Sequence, residues 1–116
     1  MDLKEQVTNL ELSQKLEKLG VKQDSLFYWV KVWDLNQYKW ELFQEDKEDN
    51  VNEHISAFTV AELLNRLPIG YYVSRWKNSY SCGTTNETFK NRPPVTKDKN
   101  PANAPAKMLI YLIENK

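Results

Sequence analysis

The sequence predicts an α+β fold: two tandem α-β-β units and a C-terminal helix, forming one four-stranded antiparallel sheet with helices mainly on one face. Three observations predict it. Two leucine-rich stretches carry apolar residues at helical spacing and end in a helix breaker. Each is followed by runs rich in aromatic and β-branched residues, the composition of strands. The chain then closes on an apolar segment introduced by Asn and Pro.

In the first helix, about residues 10–19, Leu12, Leu16 and Leu19 form one stripe. Gly20 suits the left-handed residue that ends a helix, and Val21 would fold back toward Leu16. Residues 1–8 should be frayed. Residues 26–33, LFYWVKVW, read as a strand, Asp34–Gln37 as a four-residue loop, and residues 38–43, YKWELF, as the returning strand. A polar loop over 44–56 leads to a second helix. There Thr59 and Glu62 have capping-box spacing, Phe58 can staple onto Leu63, and Pro68 stops the run. Residues 69–76 and 79–85 read as strands around a turn at Asn78, and 86–102 as a loop. The last helix starts near Asn103, with Pro105 in its first turn; a strand over 108–113 is the alternative.

Composition excludes several function classes. The 116 residues fit a single domain, with sixteen basic and sixteen acidic side chains and a mean hydropathy of −0.70. The longest apolar run, Met108–Ile113, is far short of the roughly 20 residues of a membrane span. The N-terminal MDLKEQVTNL has no signal-peptide pattern, and the lone Cys82 has no disulfide partner, so a cytoplasmic location is expected. One Cys and one His, His54, fall short of a zinc site, and the chain has no recognisable nucleophile–base, P-loop or dinucleotide motif. Asp46, Glu48, Asn50 and Asn52 alternate as in a calcium loop, but Val51 replaces the needed glycine. A non-enzymatic role without cofactor or metal is expected, with a small enzyme of no recognisable motif as the lesser alternative.

Alternation nominates a working surface. Tyr28, Val30 and Val32 with Tyr38, Trp40 and Leu42 would make the core face of the first hairpin. The opposite face would hold Phe27, Trp29, Lys31 and Trp33 with Lys39, Glu41 and Phe43, and the third strand would add Val73 and Arg75, or Tyr72, Ser74 and Trp76, according to its register. Trp29, Lys31, Trp33, Lys39 and Arg75 are therefore the candidate residues for binding a protein partner, aromatic anchors with cationic neighbours; the competing reading is that the third helix or the long loops cover these aromatics as a second layer of core. The alternative partner is nucleic acid, with bases stacked on these rings and phosphates held by Lys90, Arg92, Lys97 and Lys99. Zero net charge disfavours it, although the charge is uneven: 44–54 is acidic and 90–107 basic.

VTNLELSQKLEKLGVKQDSLFYWVK, ISAFTVAELLNRLP and APAKMLIYLIEN resemble a family of small uncharacterised bacterial proteins of phage, prophage and other mobile elements. The resemblance spans most of the chain but not 44–53 or 77–100. It implies a setting, an accessory protein of a phage or integrated element, and no catalytic residues.

Overall fold

The computed structural model describes residues 1–44, 53–85 and 93–116. The fold is mixed α+β, as expected, but its strands form two antiparallel three-stranded sheets in place of one four-stranded sheet. In the first, β1 (Phe27–Asp34) lies between β2 (Gln37–Gln44) and β3 (His54–Ala57). In the second, β5 (Ser79–Thr84) lies between β4 (Tyr71–Trp76) and β6 (Thr96–Asp98). Each predicted hairpin gains a third strand from a segment read as loop, and that addition separates the two sheets.

The helices follow their local signals. α1 (Leu10–Lys18) is capped by the Asn9 side chain, which accepts the Leu12 N–H at 2.8 Å. Gly20 ends it at φ 85; its N–H reaches the Glu17 carbonyl, and the Val21 N–H reaches that of Leu16, the double closure of a Schellman turn. α2 (Val60–Leu64) has the predicted capping box between Thr59 and Glu62. α3 (Asn103–Glu114) confirms the helix over the strand alternative.

One core cluster joins Leu16, Phe58, Leu63, Cys82, Met108 and Leu109: α3 packs on β5 and β6, α2 on α3 and β4, and α1 on α3 and on β3 of the first sheet. A smaller cluster joins Val7, Trp29, Ile55 and Ala57 on the first. The N-terminal residues are not frayed. A 3-10 turn over Leu3–Glu5 leads to Val7 and Thr8, both fully buried, and Val7 bridges Thr59 as a strand would.

The first hairpin corrects the expected faces. β1 and β2 pair without a bulge, Trp29 opposite Leu42, Lys31 opposite Trp40 and Trp33 opposite Tyr38. Directly opposed residues share a face. Tyr38, Trp40 and Leu42 therefore join Trp29, Lys31 and Trp33, while Lys39, Glu41 and Phe43 join Tyr28, Val30 and Val32 on the other side. The connection is a two-residue turn, Leu35–Asn36, and not a four-residue loop, which leaves this parity unchanged.

Trp29 is 8% exposed, and its indole N–H donates to the Thr8 carbonyl at 3.0 Å; it is a core residue and not part of an open face. Trp29→Ala is expected to cost about 3–5 kcal/mol of stability in urea unfolding. Trp33→Ala, at 60% exposure, is expected to cost less than about 1 kcal/mol.

Candidate functional site

Beyond Trp29 the same face of the hairpin runs out into solvent. Trp33 and Tyr38, both about 60% exposed, meet edge to face with ring centroids 4.7 Å apart. The Lys31 ammonium lies 5.1 Å from the Tyr38 ring centroid and 6.0 Å from that of Trp40, within cation–π reach. Its other neighbour is the Glu53 carboxylate at 4.0 Å, a loose pairing. The hydrogen-bond ladder of β1 and β2 orders this end, and the tight turn lets the strands reach it without splaying.

The turn carries a local conflict. Leu35 and Asn36 have φ of 48° and 64°, the left-handed values of a type I′ turn. Asn accepts this conformation readily, whereas Leu bears a strain of about 1–2 kcal/mol. Leu35 is also 85% exposed, so burial within the chain does not offset that strain.

The candidate residues are not assembled as expected. Lys31 and Trp33 do share the exposed face. Lys39 lies on the opposite one, 3.0 Å from both Glu41 and Asp34; those hydrogen bonds, Glu41's first, raise its pKa and keep it cationic. Arg75 belongs to the second sheet, on the face that holds Val73, Tyr80 and Cys82, and its Nε donates to the Lys77 carbonyl at 3.4 Å. Lys97 and Lys99 lie at and just beyond β6, also away from the aromatic hairpin. Lys90 and Arg92 lie outside the described residues, as does the calcium-like run from Asp46 to Asn52. Tyr38, Trp40 and Leu35 were not among the candidates, although cross-strand parity was the available signal for the two rings.

Other features offer less. A cleft of about 480 Å³ between α1 and α3 is lined by Lys15, Lys18 and Lys107. Lys15 is already paired with Glu114 at 3.2 Å and Lys107 with Asp98 at 2.8 Å, which offsets most of its charge. Cys82 and His54 sit on different sheets, and Cys82 is fully buried. His54 meets the Tyr28 ring edge-on at 6.5 Å, and burial pushes the Cys82 thiol up to about 11. Among the described residues no three His, Cys, Asp or Glu side chains gather as a metal site would require, and no helix is long and apolar enough to cross a membrane.

Comparison with protein-family models, curated proteins and solved structures found no match.

Two titrations follow from these environments. Burial alone would raise the Asp98 carboxyl, but hydrogen bonds from Lys107, the Asn100 N–H and the Asn103 amide outweigh it and hold the group below the usual carboxylate value. A depressed native pKa adds stability above the unfolded value, about 3.9, that is lost as pH falls through the native one. Asp98→Asn is therefore expected to flatten the acid limb of a pH series of urea unfolding curves. Cys82, fully buried with a raised pKa, is expected to resist a thiol reagent at pH near 8 and to react once denaturant unfolds the chain.

Proposed function

We propose that this chain is a non-enzymatic protein-interaction module whose working surface is the outer end of the first hairpin. The observation that carries this reading is the exposed ring pair Trp33 and Tyr38 with Lys31 over Tyr38, next along the hairpin to an exposed Leu35 at the turn. Exposed apolar patches rimmed by polar groups mark interaction sites, and Trp and Tyr are enriched among the residues that anchor them. Leu35 strengthens the case. An apolar side chain held in strain at a solvent-exposed tip gains nothing from its own fold and would gain from burial against a partner. The partner chemistry that fits is a peptide segment with an apolar side chain for the rings and a carboxylate for Lys31. The sequence resemblance alone supports a phage or prophage setting.

Selection from a displayed random peptide library on the immobilised chain tests the reading. Peptides pairing an aromatic or aliphatic residue with an acidic one are expected to be enriched. Trp33→Ala and Tyr38→Ala are expected to weaken the selected peptides at least about tenfold, as truncation of anchor residues does, with the circular dichroism unchanged. A single-stranded oligonucleotide is titrated in parallel. Salt-steep oligonucleotide binding without peptide enrichment would replace this reading with the nucleic-acid one.

A further inference from the structure

We propose that β2 is a dimerisation edge, along which two copies of this chain pair antiparallel about a twofold axis at Trp40, so that Lys39 of each copy faces Glu41 of the other. β2 is the outermost strand of its sheet, and no strand lies beyond it among the described residues. It runs for eight residues, holds no Pro or Gly, and pairs with β1 through an unbroken register. Natural edges are normally shortened, bulged, interrupted or guarded by charge, because a long regular edge is a template for another strand; β2 keeps its length and regularity, and its two charges, Lys39 and Glu41, are of opposite sign.

The hydrogen-bonding groups on that edge are identifiable. Asp34 and Gln37 flank a two-residue turn and so form a hydrogen-bonded pair, after which bonded and non-bonded pairs alternate along the ladder. Lys31 and Trp40 fall on a non-bonded pair. In agreement, the Lys31 N–H points the other way, to the Glu53 carbonyl at 3.0 Å. Tyr38, Trp40 and Leu42 therefore turn their backbone groups outward, while Lys39 and Glu41 turn theirs toward β1.

A symmetric antiparallel partner must match outward residues with outward residues, which leaves few registers. With the axis at Trp40, Trp40 faces its own copy, Tyr38 faces Leu42, and Lys39 faces Glu41 twice. With the axis at Lys39 or at Glu41, like charges meet on the axis, which disfavours both. The charges are available. Lys39 uses two of its three ammonium protons on Asp34 and Glu41 of its own chain and retains one for the other copy. The other long edge, β4, has Arg75 as its one charged residue and no such complementarity. The pairing uses the edge of the hairpin and does not depend on what its aromatic face binds.

Sedimentation equilibrium on the full chain tests the inference, because association makes the apparent mass depend on concentration. The wild-type chain is expected to be a dimer. Lys39→Glu and Glu41→Lys, whose folding is checked by circular dichroism, each turn two attractive pairs into repulsive ones and are expected to raise the dissociation constant about tenfold or more. An equimolar mixture of the two variants is expected to recover the dimer, since each introduced charge then faces its opposite. Independently of any variant, the Tyr38, Trp40 and Leu42 amides are expected to gain hydrogen-exchange protection as the wild-type concentration rises. A wild-type chain that stays monomeric, a dimer that survives both single reversals, or protection at those amides that ignores concentration would overturn it. Loss of peptide binding in Trp33→Ala bears on the interaction reading alone.

Discussion

The arrangement of the whole chain depends on one buried residue, Thr8. Its N–H donates to the Phe58 carbonyl and its hydroxyl accepts the Phe58 N–H, so it docks like a strand on the entry to α2. The hydroxyl also meets Ser13 of α1 at 2.7 Å, and its carbonyl takes the Trp29 indole N–H. Every polar atom of this residue is thereby engaged, and its partners come from the entry to α2, from α1 and from β1. In a dry interior such groups are costly when unpaired and directional when paired, and the pairing fixes the first sheet against the helices.

Around Thr8 a polar seam separates two apolar clusters. On one side Trp29, Ile55 and Val7 bury the inner end of the first hairpin; on the other, the leucines of α1 and α2 meet α3 and the second sheet. The seam continues through Asn9, whose N–H donates to the Asn103 side chain, and through Asn100, whose amide reaches the Val7 carbonyl. Ser56 breaks the pattern, with a buried hydroxyl that has no hydrogen-bond partner among the described residues. The hairpin thus has two physical characters along its length: a core half, fixed by Trp29, and an outer half that keeps its aromatic residues in water.

Local signals were legible in the sequence and long-range ones were not. The Gly20 closure, the Thr59–Glu62 capping box, the start of α3 and the strand character of both hairpins each depend on a few neighbouring residues, and the structure agrees with all of them. The separation into two sheets depends on His54–Ala57 and Thr96–Asp98, strands of four and three residues whose composition resembles that of loops. They are strands because β1 and β5 offer them an edge, which local composition does not encode. The N-terminal residues looked frayed for the same reason: the partners that bury Val7 and Thr8 are far along the chain. For the candidate site, Lys31 and Trp33 were legible from aromatic and basic composition. Trp29, Lys39 and Arg75 were misplaced because a face is a property of pairing, so adjacency in one strand says nothing of its neighbour.

The seam also constrains the order in which the molecule assembles. The bond from Asn9 to Asn103 joins residues 94 positions apart, and that from Asn100 to Val7 joins residues 93 apart. Contacts of such separation carry the full entropy of closing nearly the whole chain before they return any stabilisation. The hairpins and capped helices are local and can form as soon as their residues exist. The polar seam cannot close until α3 and the turn before it are present, which makes that region the element that locks Val7 and Asn9 into place.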